Sequence, residues 1–351
     1  MEKSSTKEYR LERIAHQDGK NAFYLVKDIR IKHLKAKVTK YIGSTEPSLD
    51  ELSILRTEHS FDLEIKAIEK KTEMSSSLLI TDRMDPDKGK AIISSIEGLR
   101  FLCDTFSQHL TVSEVQRYEN LMEIQYVHGT TAIEGNTLSL DQTRSLINDD
   151  ILPENKSLRE VNEVQNFRKV RSYRIKHKGK VDLNFIRELH RRIMDNIDNE
   201  SAGEFRRSDL VGISICDYQV SPSQMIEPEL EEALAEYYER IESGHSPFIE
   251  AVIFHYKFER IHPITDGNGR TGREVFNYML EKAGYPRLLF LGKDREKYIK
   301  ALKNGDKDDF GGMVGAFAQL LIAQRKTIIE ENLERVLNPP TKSGQMRLTD
   351  F

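Results

Sequence analysis

The chain has 351 residues, of which 38% are apolar and 31% charged, and its net charge is −4. That length allows two or three domains with a sizeable core, and the charge argues against nucleic acid as the main partner. With two cysteines, Cys103 and Cys216, no apolar run of membrane-spanning length and an N-terminal MEKSSTKEYR unlike a signal peptide, a disulfide framework is excluded and a reducing, cytoplasmic setting is expected.

Residues 9–42 alternate like strands, and 23–31 with 35–42 form a hairpin around 32–34. Lys27, Arg30, Lys32, Lys35, Lys37 and Lys40 make it basic. Aromatic interleaving is thin, so a solvated sheet face is favoured over a nucleic-acid, target or partner surface. Ser48 with Glu51 forms a capping box that opens a helix to about residue 71. Three serines and Asp85-Pro86 mark 74–89 as a linker. The expected division is an N-terminal region at 1–90, a helical core at 91–325, and the end of a helix with a polar tail at 326–351.

Residues 92–110 are helical by pattern. A second helix, 113–134, carries Val115, Tyr118, Met122 and Tyr126 on one face. It ends on Glu134, and an acid at a helix C-terminus opposes the macrodipole. That misfit predicts a partner for Glu134 elsewhere in the chain. Ser139 with Gln142, and Ser157 with Glu160, open two more capped helices, the second sending Leu158, Val161, Val164 and Phe167 to the core. A helix at 185–197 contains His190, read as a core or interface histidine. In 203–220, Leu210, Val211, Ile213 and Ile215 run in short strand-like steps. Helices follow at 229–243 and 247–261. His255 lies two turns before His262, about 10 Å away, which suits no metal pair, and it is taken as structural. A helix at 295–303 bears Tyr298, and a final helix spans 308–336 before Asn338-Pro339-Pro340.

The most concentrated chemistry is HPITDGNGRTGR, residues 262–273. Gly267, Asn268 and Gly269 let main-chain N–H groups converge on an anion. Val275, Phe276, Met279 and Leu280 then recur at helical spacing, with Gly284 at the C-cap and Pro286 beyond it. The loop therefore feeds a helix N-terminus, a natural phosphate site. Arg270 and Arg273 share one helix face and can grip phosphate oxygens. Asp266 is a hard ligand suited to Mg²⁺ beside phosphates. Asn268 can donate to phosphate oxygens, and His262 has the ordinary pKa of a general base.

This stretch resembles the Fic signature H-x-F-x-[DE]-G-N-G-R-x-x-R, with Ile264 where the family usually has Phe. The resemblance implies a mainly helical core with a β-hairpin flap, and a small β-containing N-terminal region before it. It implies transfer of AMP from ATP to a Ser, Thr or Tyr hydroxyl of a target protein, and of the enzyme itself. His262 would be the base and Asp266 would hold Mg²⁺. Gly267, Asn268, Gly269, Arg270, Thr271, Gly272 and Arg273 would bind ATP. The family's phosphorylating Doc branch carries alanine and lysine where Gly267 and Gly269 stand, which favours adenylyl transfer here. Residues 130–135 fit the inhibitory motif [ST]-x-x-x-E-[GN] of relatives with an upstream brake, so Glu134 should pair with Arg273 and keep it from the γ-phosphate. Gly203-Glu204-Phe205-Arg206 resembles the entry to the flap, which receives an extended target segment by strand addition. Ile213 and Ser214 would approach the nucleotide, Tyr298 the adenine side, and Asn304 follows in compressed spacing. Many members dimerise, and the long final helix would allow it. Three alternatives stay open: removal of AMP with Glu134 positioning water, transfer of another nucleotide such as UMP, and a non-catalytic interaction module.

Overall fold

Three strands, twelve α-helices and two short 3₁₀ turns make up the regular structure of a computed structural model describing residues 9–15, 20–209 and 220–338. Contacts divide these residues into two compact units. One gathers the described residues of 1–79, 93–116 and 322–351; the other contains 80–92 and those of 117–321.

The first unit holds the antiparallel sheet β1 (Arg10–Ala15), β2 (Asn21–Ile31), β3 (Leu34–Gly43), in that order. Along β2 the alternation expected of a half-covered strand is present: Leu25 and Ile29 are buried, Asp28 and Arg30 exposed. After α1 (Leu49–Glu58) comes α2 (Ser60–Ser76), whose Leu63 packs with Leu25 and whose Ala67 and Met74 pack with Ile29. Three of the six basic side chains of the hairpin are paired within the unit. Lys27 turns inward to the buried Glu64, Lys37 pairs with Glu12, and Lys40 with Asp62.

The linker is shorter than expected. Helix α2 runs on through Ser76, because Met74 is buried and Ser75 Oγ donates to the buried Glu97. Helix α3 (Pro86–Gln108) starts at Pro86, where a missing N–H costs nothing, and Asp85 Oδ1 accepts from Lys88 N–H at 2.9 Å. Tertiary contacts here override the loop-forming tendency of the serines.

In the second unit lie α5 (Leu140–Asp149), α6 (Leu158–Lys176), α7 (Leu183–Ile193), α8 (Ile226–Glu242), α9 (Pro247–Ile261), α10 (Asn268–Lys282) and α11 (Arg295–Gly305). Helix α4 (Val112–Ala132) enters this unit from residue 117, and α12 (Phe310–Leu337) leaves it after 321. The capping boxes at Ser48, Ser139 and Ser157 all form. Helix α7 stops at Ile193 rather than continuing to 197, since Asn166 Nδ2 takes the Ile193 and Asp195 carbonyls and Asn196 is left-handed. Helices α9 and α10 form the centre, and both are buried on nearly every face. They approach closely at Gly272, where a Cβ would stand 2.7 Å from the Phe258 ring.

A closed ring of buried charges ties three helices to the segment after α10. Arg174 donates to Glu123 and Glu274, and Arg287 donates to the same two carboxylates, all at 2.7 Å. No helix among the described residues is long and apolar enough to cross a membrane.

Candidate active site

Helix α9 ends because Pro263 follows His262 and disfavours the α-region at that position. His262 is left-handed (φ 52°) and its N–H donates to the Phe258 carbonyl at 3.0 Å. The chain then turns through Pro263, Ile264, Thr265 and Asp266 into Gly267, which caps α10 with φ 86°. Ile264 is fully buried and anchors the turn where the resembled signature has Phe. Asn268 holds the turn shut: its Oδ1 accepts from Ile264 N–H at 2.8 Å and its Nδ2 donates to the Ile264 carbonyl. Both ends of that amide are thus engaged inward, and what Asn268 can offer an anion is its main-chain N–H. Thr271 and Gly272 are buried in the first turn and its packing, with Thr271 N–H closing the first helical bond to Gly267.

Three charged side chains stand around this helix start. Asp266 accepts from Arg159 Nη2 at 2.7 Å and from Arg270 Nη2 at 3.1 Å. Burial opposes its charge, but Arg270 and Arg159 hold its carboxyl below the ordinary aspartate range. Arg270 is buried and also donates to Glu163 at 3.1 Å. Arg273, 1% exposed, donates through Nε to Thr130 Oγ1 at 2.8 Å. Its Nη2 reaches the Thr130 carbonyl at 2.9 Å and Glu134 Oε1 at 2.8 Å.

Glu134 therefore has the distant partner that its misfit at the end of α4 called for. Burial pushes its pKa up, yet Arg273 and then Arg270 bring it below the ordinary glutamate value. The carboxylate lies against the first turn of α10, for a Cβ on Gly269 would stand 2.5 Å from Glu134 Oε1. A glycine at 269 is what admits it there.

His262 is buried enough that its pKa falls below the ordinary histidine value, an effect to which Arg206 and Arg260 add. A neutral imidazole beside a helix N-terminus can accept a proton near neutral pH. Arg206 braces it, donating to the His262 carbonyl at 2.8 Å, while Arg206 N–H bonds Pro263 O at 2.9 Å. Arg206 is thereby fastened to the loop through both its main chain and its side chain. Ile213 and Ser214 lie outside the described residues. Tyr298 is buried against His255, Phe290 and Phe317, and its hydroxyl is 3.0 Å from His255 Nε2. Asn304 sits at the end of α11 and accepts from Lys307 and Asp309 N–H through its carbonyl. His255 is wholly buried, as a structural histidine would be.

Sequence reasoning gave no role to Arg159, Glu163 or Glu259. The first two form an i,i+4 pair on α6, a pattern that ordinarily marks a solvated face. Glu259 is buried behind Gly272 and its carboxyl is pushed by burial to about 7. No cluster of three metal-binding side chains occurs among the described residues.

Residues 180–280 match the Fic/DOC family. The chain is 34% identical over 210 residues to the protein adenylyltransferase Fic of Drosophila ananassae, covering 57% of this chain and 40% of that protein. It is 28% identical over 323 residues to the protein adenylyltransferase fic-1 of Caenorhabditis elegans, covering 88% of this chain and 62% of that one. The chain thus spans about two fifths of the first of these relatives. In fold it is similar to a Fic-domain-containing signaling protein of Bacteroides thetaiotaomicron, with TM-score 0.58, 21% identity, and coverage of 70% of this chain and 99% of that one. It is also similar to Caenorhabditis elegans Fic-1, with TM-score 0.55, 24% identity, and coverage of 83% and 88%. The loop, the helix it opens and the mainly helical fold thus agree with the match of residues 180–280 to the Fic/DOC family.

Proposed function

We propose that this protein is an adenylyltransferase that moves AMP from ATP to a hydroxyl of a target protein, and to itself, under restraint by Glu134. The observation that carries this reading is the pair between the buried Arg273 and the half-exposed Glu134 at 2.8 Å, set against the first turn of α10. A carboxylate and a phosphate compete for one guanidinium. With Glu134 displaced, Arg273 and Arg270 face the distal phosphates, and the main-chain amides of 267–269 face the others.

His262 takes the proton of a Ser, Thr or Tyr hydroxyl as that oxygen bonds the α-phosphorus. The bond to the β-phosphate oxygen breaks and pyrophosphate leaves. Guanidinium groups and the helix N-terminus stabilise the charge growing on the phosphates, each such donor typically contributing about 3–4 kcal/mol to lowering the barrier. Asp266 fits Mg²⁺: its carboxylate is partly exposed at the mouth of the loop, and one carboxylate with phosphate oxygens and waters is a common set. The ion would neutralise phosphate charge. The target would lie as an extended segment along the flap, residues 203–220, where backbone pairing gives affinity without a fixed sequence.

Labelling with ATP carrying radioactivity on its α-phosphate tests this reading. Glu134→Gly is expected to raise self-labelling well above wild type, and Glu134→Gly with His262→Ala to abolish it while ATP still binds. Label appearing on the protein from γ-labelled ATP, and none from α-labelled ATP, would replace adenylyl transfer with phosphorylation. The placement of Glu134 beside the loop also suits a second reading, in which it orients a water that removes AMP. Incubating a premodified target with wild type and Glu134→Gly separates the two.

A further inference from the structure

The imidazole of His190 stands between two segments that the chain brings together from opposite directions. It projects from α7, is 1% exposed, and each ring nitrogen has one partner. Gly203 N–H lies 3.0 Å from Nδ1, and Nε2 lies 3.0 Å from the Asp266 carbonyl. An amide N–H can only donate, so Nδ1 carries no proton. The ring proton is therefore on Nε2 and is given to Asp266 O.

Gly203, and Gly267 next to Asp266, are places where the backbone has little freedom. A Cβ on Gly267 would stand 3.1 Å from Met194 Sδ and 3.5 Å from the His190 ring, at a residue with φ 86°. A Cβ on Gly203, with φ 82°, would stand 2.8 Å from the Arg191 guanidinium. Helix α7 thus offers one surface, Arg191, His190 and Met194, against which the flap entry and the phosphate loop are both seated. Asn166 fixes the end of that helix by taking the Ile193 carbonyl at 3.0 Å and that of Asp195 at 2.7 Å.

We propose that His190 is a positioning residue that couples the flap entry at Gly203 to the phosphate loop at Asp266 and Gly267. It sets the carbonyl of Asp266, and with it the direction of the Gly267 amide and the Asp266 side chain. The same ring sets the start of the segment along which the target is laid. The coupling to nucleotide rests on the reading of residues 262–273 given above; the hold on Gly203 does not.

Two substitutions divide the two contacts. The amide of Asn stands near the Nδ1 position and that of Gln near the Nε2 position. Amide hydrogen exchange at Gly203 and calorimetric affinity for Mg·ATP are measured in full-length protein carrying Glu134→Gly. With His190→Asn, Gly203 keeps its protection while ATP affinity falls about tenfold, the worth of one well-made hydrogen bond. With His190→Gln, ATP affinity stays within about twofold while Gly203 exchanges about tenfold faster. Both readouts moving together in both variants would reduce His190 to a general structural residue and overturn the coupling. So would unchanged values in both. Failure of Glu134→Gly itself to bind Mg·ATP would sink the nucleotide reading and the coupling with it, while the Gly203 exchange would still decide whether His190 holds the flap entry.

Discussion

Arg273 Nη2 and Glu134 Oε1 are 2.8 Å apart although 139 residues separate them in the chain. The guanidinium is also held by Thr130 through Nε, so two residues one turn apart on the same chain segment grip it from one side. The Thr130 hydroxyl holds Arg273 in the orientation that Glu134 uses. Thr130→Val is predicted to raise self-labelling above wild type but less than Glu134→Gly does, since the Thr130 carbonyl and Glu134 remain. Initial labelling rates at fixed ATP check the order; a Thr130→Val rate equal to wild type would contradict it.

The pH dependence of this pair has a definite sign. Glu134 has its pKa lowered in the folded protein, so the pair's contribution is complete above the ordinary value of 4.5. It is lost only as pH falls through the depressed folded value. Restraint by Glu134 is therefore predicted to be constant between pH 6 and 8, measured as the ratio of Glu134→Gly to wild-type labelling.

Glu259 behaves oppositely. Burial raises it from 4.5 to about 7, against Arg273, which lowers it, and with Glu134, which adds to the rise. A raised carboxyl destabilises the fold increasingly as pH climbs from 4.5 to 7, and by a constant amount above that. Glu259→Gln is predicted to gain on wild type across that window, reaching about 3 kcal/mol at pH 8, the free energy that goes with a carboxyl raised from 4.5 to about 7. Denaturant titrations at pH 5 and pH 8 check the prediction; equal differences at the two would contradict it.

Gly129 is the point at which α4 meets the segment after α10. A Cβ there would stand 2.6 Å from the Leu289 carbonyl and 2.9 Å from that of Phe290. Backbone atoms cannot rotate aside, so Gly129→Ala must shift α4 and with it Thr130 and Glu134. A loss of about 1–3 kcal/mol is predicted, together with raised self-labelling. Thermal melting and labelling of the same preparation report the two effects.

The ring of Glu123, Arg174, Glu274 and Arg287 lacks solvent to replace a missing member. Glu123→Ala would leave Arg287 and Arg174 sharing Glu274, with Glu281 reaching only Arg174 at 3.3 Å, and a loss of about 3–5 kcal/mol is predicted from denaturant unfolding. A loss under about 1 kcal/mol would mean that water enters the ring in the variant.

Local chemistry was legible in the sequence where the signal was itself local. The capping boxes at Ser48, Ser139 and Ser157 form as read, since both partners lie within one turn. Helix α9 has the bounds that Pro247 and the dipeptide His262-Pro263 set. Glu134 was legible as a misfit, and only the family resemblance pointed to Arg273 as its partner. Features set by tertiary contact were missed. Ser75 stays helical because Glu97 receives its hydroxyl. The amide of Asn268 folds back onto Ile264 instead of facing outward, and Arg159 reaches Asp266 from another helix. His190 looked like any core histidine, because its two partners lie 13 and 76 residues away.

A crystal of the Glu134→Gly protein soaked with Mg·ATP tests the central claim most directly. Density for the triphosphate is predicted on the main-chain amides of 267–269, with Arg273 turned from Thr130 to the terminal phosphate and His262 facing the α-phosphorus. A loop left without nucleotide, with Arg273 still bound to Thr130, would contradict it.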